Sequence, residues 1–321
     1  MAFTAGATNG ATVVKFQFST DGGSSWADRT DAGTTSSPLV ITKLSSDGTT
    51  ALTNGTSYSV QIRAYSTVEG AASTSTSATP AAVPGAPTVT ATSNEDKQSV
   101  VSWSGAATNG AAITGYTVTA NAASYFPTVP ASCQSLPSTA TSCTFTGLNN
   151  GTAFTFTVKA INAIGTGTAG TATATPGAVP SAPRSFAATS NANGQSVLSW
   201  VAPIDNGGYN ILGFTISVTK PDNSAQTFSG SCTSVTSSSS TGCMVAGLTN
   251  GVTYTFSITA KNTLGDGVAA TTTATPATRP TAPQTLAATS NASGQSVLSW
   301  TAPSSTGGNA ITGYTLTASY S

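Results

Sequence analysis

A segment bearing a single tryptophan recurs along the chain: Gln98-Ser-Val-Val-Ser-Trp103, Gln195-Ser-Val-Leu-Ser-Trp200 and Gln295-Ser-Val-Leu-Ser-Trp300. Successive tryptophans stand 97 and 100 residues apart. One more step back from Trp103 reaches Phe3, in Phe3-Thr-Ala-Gly-Ala-Thr-Asn-Gly10. That stretch parallels Trp103-Ser-Gly-Ala-Ala-Thr-Asn-Gly110, with Phe in place of Trp. A period of about 100 residues is too long for a solenoid unit and is the size of one small domain. The 321 residues therefore read as a tandem array of one module, with whole copies at 81–177 and 178–277 between partial copies at 1–80 and 278–321.

Within each copy the apolar residues alternate. Tyr116 and Val118 share one face of Gly115–Thr119, and Phe154, Phe156, Val158 and Ala160 share one face of the next such run. The third copy repeats this with Phe214, Ile216 and Val218, then Tyr254, Phe256 and Ile258. The first does so with Phe16 and Phe18, then Tyr58, Val60 and Ile62. A period of two with Thr on the outer face is the pattern of a half-buried antiparallel strand. No segment carries a helical period, so the fold class is all-β. Turn signals separate the runs: Asn109-Gly110, Asn150-Gly151, Asn250-Gly251, and Asp21-Gly22-Gly23 between Phe18 and Trp26. Asn162-x-x-Gly165-x-Gly167 and Asn262-x-x-Gly265-x-Gly267 mark a further tight turn after the most regular strand of each whole copy.

The order of Pro, strand Trp, Tyr-Thr-Val and then Leu-Thr-Asn-Gly-x-x-Tyr-x-Phe-x-Ile-x-Ala-x-Asn-x-x-Gly resembles fibronectin type III over essentially the whole chain. The resemblance implies tandem immunoglobulin-like β-sandwiches. It also implies a corner at which a tyrosine hydroxyl bonds back to the backbone, at Leu52/Tyr58, Leu148/Phe154 and Leu248/Tyr254. Phe154 lacks that hydroxyl, so the second copy is expected to forgo roughly 1 kcal/mol there. Between copies the chain reads Pro80-x-x-x-Pro84-x-x-Pro87, Pro176-x-x-x-Pro180-x-x-Pro183 and Pro276-x-x-x-Pro280-x-x-Pro283. Proline at this density favours extended chain, and no long tether separates the copies, so an elongated semi-rigid rod is expected.

The four cysteines fall as Cys133/Cys143 and Cys232/Cys243, one pair per whole copy and at matching places. With no histidine in the chain and no second cysteine near either pair, a zinc site is disfavoured. A disulfide within each copy is the better reading over free thiols, and it implies an oxidising, extracytoplasmic compartment. The placement of the pairs also resembles variants in bacterial secreted proteins. Only 6% of residues are charged, ten basic against ten acidic, which argues against nucleic acid or an anionic membrane as partner. No apolar run reaches the length needed to span a bilayer, and Met1-Ala-Phe3 leads directly into the repeat with no basic stretch or apolar signal core, so any export signal is expected to lie outside this chain or to be of another kind.

The absence of histidine removes the usual nucleophile triads and the commonest general base. Glu95-Asp96 is the one adjacent carboxylate pair and reads as a solvated loop beside Lys97. No cofactor and no metal is expected, and no catalytic residue is assigned. Asp205 and Tyr209, in Pro203-Ile-Asp-Asn-Gly-Gly-Tyr209, and Asp266, in Leu264-Gly-Asp-Gly267, fall in loops that gather at one end of the resembled fold. They are the candidates for contact with a ligand or cation, set against the plainer reading as turn residues. Trp26 has no counterpart in the other copies and reads either as a cover for the sheet edge or as a stacking platform for a sugar ring. No Arg-Gly-Asp tripeptide is present, so an integrin contact is not carried over.

At the ends, the first copy lacks its first strand and most of its second, and the last runs from Pro280 into a third strand at Gly313–Ser321. An excerpt of a longer chain is expected. The alternative is head-to-tail self-association, residues 280–303 of one molecule completing residues 1–80 of the next. The expected role is a non-catalytic structural or adhesive spacer in a secreted or surface-displayed bacterial or phage protein. A carbohydrate- or protein-binding accessory to a polysaccharide-degrading enzyme is the second reading, with a glycan or cell-surface protein as partner, and a filament subunit is the third.

Overall fold

The computed structural model describes residues 2–4, 10–29, 35, 37–123, 127–190 and 192–319. Two compact units are present: residues 1–91, 100–146 and 154–174 form one, and residues 92–99, 147–153 and 175–321 form the other. The division passes through the second repeat, whose loops at 92–99 and 147–153 group with the third.

In the first unit, β1 (Lys15–Ser19), β2 (Ala27–Asp28), β3 (Tyr58–Tyr65), β4 (Glu69–Ala72) and β5 (Thr76–Ala78) form one sheet. Its order is β2-β1-β3-β4, with β5 also on β3. The Asp21-Gly22-Gly23 turn joins β1 to β2 as a hairpin with Phe18 opposite Ala27. Phe16, Phe18 and Val60 are buried on the inner face, as their alternation requires. The Phe3 ring stands edge-on to Phe16 with centroids 4.6 Å apart. Trp103 meets Tyr116, the residue equivalent to Phe16, at 5.5 Å with the rings tilted, so Phe3 occupies the tryptophan's place in the first repeat. Residues 5–9 of that motif lie outside the described residues.

The second repeat contributes β6 (Thr88–Ala91), β7 (Gln98–Ser104), β8 (Ile113–Asn121), β9 (Leu136–Pro137), β10 (Ser142–Thr146), β11 (Phe154–Asn162) and β12 (Gly165–Ala174). They make two sheets, β10-β7-β6 and β12-β11-β8-β9. On β11, Phe154, Phe156, Val158 and Ala160 are wholly buried, while Lys159 is exposed. The rings of Phe145 on β10 and Phe156 on β11 meet at 5.2 Å, so the two sheets share one core. A side chain of this size stabilises the fold by about 1.5–3 kcal/mol when fully buried.

The second unit repeats the plan. Strands β13 (Arg184–Ala188), β14 (Gln195–Val201), β15 (Gly213–Thr219), β16 (Gly242–Ala246), β17 (Tyr254–Asn262), β18 (Gly265–Asp266) and β19 (Ala270–Ala274) form the sheets β13-β14-β16 and β15-β17-β18, with β19 also on β17. A single core joins Leu198, Trp200, Phe256 and Ile258 to Cys232 and Cys243. Beyond it, β20 (Gln284–Ala292) and β21 (Gln295–Thr301) form an antiparallel hairpin. The third strand expected from Gly313 is not formed over 313–319, and residues 320–321 lie outside the described residues. The cause is a missing partner. The equivalent β15 is held along its length by β17, and residues 278–321 include no segment matching β17. Leu298 is accordingly 40% exposed where its counterpart Leu198 is wholly buried. Tyr314 still packs on Trp300 at 5.2 Å, so the aromatic pairing of the repeat survives without the ladder.

Both cysteine pairs form disulfides. Cys133 and Cys232 each sit in a single 3-10 turn and bond to Cys143 on β10 and Cys243 on β16. The tyrosine corners form as well. The Tyr58 hydroxyl accepts the Thr53 N–H at 2.9 Å, and the Tyr254 hydroxyl accepts the Thr249 N–H at 3.0 Å. Phe154 fills the same buried position without an oxygen to offer.

Tyr254→Phe is therefore expected to lower the stability of the third repeat by about 1 kcal/mol, and Phe154→Tyr to raise that of the second by a similar amount. Urea unfolding followed by tryptophan fluorescence measures both. Reduction of the disulfides is expected to cost each whole repeat a little under ~3 kcal/mol, since each closes a loop of only ten or eleven residues. The far-ultraviolet β signal should survive reduction; its complete loss would show that the cores cannot stand without the bonds.

Candidate functional site

Two of the three loop residues singled out in the third repeat meet the loops at 92–99 and 147–153, inside the second unit. Asp205 accepts the Gly207 N–H on Oδ1 at 2.8 Å, which closes its own turn. Its Oδ2 stands 3.9 Å from Lys97 Nζ, an exposed pair worth little by itself. The Tyr209 hydroxyl donates to Asn94 Oδ1 at 2.9 Å. On the facing side, Asn150 accepts the Lys97 N–H and donates to Asp96 Oδ1, both at 2.8 Å. Glu95, Asp96 and Lys97 thus form the rim of a junction, where the sequence reads only a solvated loop.

The linkers themselves are held on both sides, in the same way three times. The carbonyls of Pro80, Pro176 and Pro276 accept the N–H of Gly55, Gly151 and Gly251 from the preceding repeat, at 2.8–2.9 Å. Two residues on, the N–H groups of Ala82, Ala178 and Thr278 donate to Asn109, Gly207 and Gly307 in the loop that follows. Asn162 and Asn262 add a side-chain amide donated to the Ala82 and Ala178 carbonyls, each at 2.8 Å. Turn chemistry alone identifies these asparagines as turn formers. Their recurrence at the end of β11 and of β17 is the only signal of the second duty.

The remaining candidates lie elsewhere. Asp266, on β18, accepts the Thr215 hydroxyl at 3.1 Å across the sheet. Trp26 belongs to the first unit, where the Arg63 guanidinium covers its ring at 4.3 Å and its indole N–H donates to the Gly23 carbonyl. Arg63 also grips Glu69 through two hydrogen bonds and reaches Gln17, while Lys15 pairs with Asp28 at 2.6 Å and lies over Tyr65. Residues 1–80 hold nine of the twenty charged side chains, so this outer sheet face differs in kind from the Thr-rich faces of the whole repeats.

The fibronectin type III family model matches residues 83–175 and 181–276. The chain belongs to the fibronectin type III family. Modules of this family are in general non-catalytic. Among curated proteins, chitinase A1 of Niallia circulans is 32% identical over 141 residues, which is 41% of this chain and 18% of that protein. A Kelch domain-containing protein of Saccharolobus solfataricus is 33% identical over 127 residues, 39% of this chain and 16% of its own length. The chain thus spans less than a fifth of either relative. Among solved structures, a segment of two fibronectin type III domains from chicken tenascin is similar at 15% identity and a TM-score of 0.34, over 59% of this chain and 98% of that one.

The ionised carboxylates of these fibronectin type III repeats serve as local acceptors. Asp21 is held at about 2, chiefly by the Ser25 hydroxyl, then by the Ser25 N–H and the Ser19 hydroxyl. Asp47 is likewise held at about 2, by the Thr50 hydroxyl and the Thr49 and Thr50 amides. Asp28 is lowered by Lys15 and then Gln17, and Asp222 by the Ser224 hydroxyl and amide. A general acid needs the opposite displacement. Because the folded values of Asp21 and Asp47 lie below the unfolded value near ~3.9, their stabilisation is present above about pH 4 and is lost as the pH falls toward about 2. The first repeat is expected to weaken through that window, with Asp21→Asn flattening the change. Trp26 fluorescence during urea unfolding at stepped pH measures it.

Proposed function

We propose that the chain is a non-catalytic spacer of a secreted or surface-displayed protein, holding functional parts at a distance from a surface. The observation that carries this reading is the capture of every linker from both sides. A chain meant to let its modules wander would leave slack between them, and here a single residue separates the two held positions of each linker. The two disulfides support an oxidising, extracellular setting. The hydroxyl-rich strand faces, such as Thr155 and Thr157 on β11, support a surface that stays hydrated without charge.

A second reading is favoured by the likeness to chitinase A1: an accessory segment of a polysaccharide-degrading enzyme, in which the repeats themselves bind the polymer. Loops of the third repeat around Asp205 and Tyr209, and the sheet face around Trp26, are where such contact would be sought. Co-sedimentation with insoluble chitin and cellulose separates the readings. The spacer is expected to stay in the supernatant at micromolar concentration. Depletion by either polymer, weakened by substitution at Trp26 or Asp205, would replace it with the accessory reading.

A further inference from the structure

Three observations meet at the linker residue Gly177, all within the second unit. Its N–H donates to the Glu95 carbonyl at 3.1 Å, which ties it to the loop at 92–99. The next amide, of Ala178, donates to the Gly207 carbonyl at 3.0 Å, which ties that residue to the third repeat. Since the peptide bond between them is planar, the only free rotations between the two tethers are φ and ψ of Gly177 itself.

Those two rotations are hemmed in. A Cβ placed on Gly177 would run into the Tyr209 ring, so the ring is seated directly against the linker backbone. The same ring is anchored at its far end by its hydroxyl on Asn94. Beside it, Gly151 and Gly208 approach so closely that a Cβ on either would overlap the backbone of the other. Both glycines hold positive φ, at 76° and 87°, where other residues are strained. Turning about Gly177 would therefore lift Tyr209 from its seat, break its hydrogen bond and part the two glycines together.

We infer that the junction around Gly177 is a fixed-angle coupling, in which Tyr209 is a positioning residue that locks the two remaining backbone rotations. The occupant that this loop surface fits is the next repeat of the same chain. The corresponding junction ahead of the last repeat keeps the glycine contact, as Gly251 against Gly308, but has Asn309 in place of Tyr209 and Asn193-Gly194 in place of Asp96-Lys97. The lock by an aromatic ring is thus particular to the junction at Gly177. This inference does not depend on the spacer reading, since a polymer-binding accessory would hold its angle equally well.

The test uses the full chain with spin labels carried by non-natural residues at the exposed Asn149 and Thr255, which leaves the disulfides untouched. Pulsed dipolar spectroscopy is expected to give one narrow distance population. Gly177→Ala, at a position whose φ is not left-handed, should widen it at least twofold by unseating the ring. In a Tyr209→Ala background, which is itself wide, Gly177→Ala should add nothing. Thermal melting followed by Trp200 confirms that the third repeat remains folded in each variant. A distribution already as wide in the unmodified chain as in Gly177→Ala would overturn the coupling. So would a widening by Gly177→Ala that persists in full without Tyr209.

Discussion

A proline carbonyl that leaves water needs a donor, and at each linker the structure has arranged one. Proline fixes the direction of the chain and offers no N–H of its own, so its carbonyl is the one polar group through which it can be held. Gly55, Gly151 and Gly251 supply that hold by pointing a backbone N–H out of a turn that only a left-handed residue closes without strain. The rest follows from this capture. Once the proline is fixed, the N–H two residues later is placed to reach the next loop, and the asparagine ending β11 or β17 can bridge the gap. At Gly151 a side chain would run into the Gly208 backbone and break the arrangement at its first step.

The scarcity of charge belongs to the same design. Surfaces rich in Lys and Glu would bring long mobile side chains into junctions made of close backbone contact. Ser, Thr and Gly bring almost none, and hydroxyls of neighbouring strands pair with one another, as Thr285 on β20 does with Thr301 on β21. Where charge does gather, in the first repeat, it is organised into a cross-strand lattice of Lys15, Asp28, Gln17, Arg63 and Glu69, closed by cation–aromatic contacts on Trp26 and Tyr65. Such pairs on an exposed face contribute modestly to stability.

Most of the fold was legible in the sequence because its signals are local. Alternation on β11 and β17 and the glycine-bearing turns each need only a few neighbouring residues to be recognised, while the tyrosine corners came through the resemblance to the family. The cysteine pairs were legible through repetition. The strand expected from Gly313 failed because alternation states which face a segment can bury, while a strand also needs a ladder partner. The junctions escaped for a related reason. They are built from backbone atoms of loops far apart in sequence, and the residues that permit them, Asn and Gly, look the same whether they close a turn or a joint. Asp205 and Tyr209 stood out because they differ between repeats, yet nothing local to them shows that Asn94 and Lys97 face them across the linker.

Each whole repeat carries both halves of the joint: a donor glycine at one end, and a glycine-bearing loop with its bridging asparagine at the other. The backbone part of the joint is therefore the same at each linker, while the Tyr209 lock is not. Unequal exchange between such similar stretches of coding sequence would add or remove one repeat and keep the captured proline at every surviving junction, while a junction that set Tyr209 against Ala81 or Ala277 in place of Gly177 would lose the seat of the ring. The number of repeats is then free to drift or to be selected in whole steps, without a new backbone interface having to be invented.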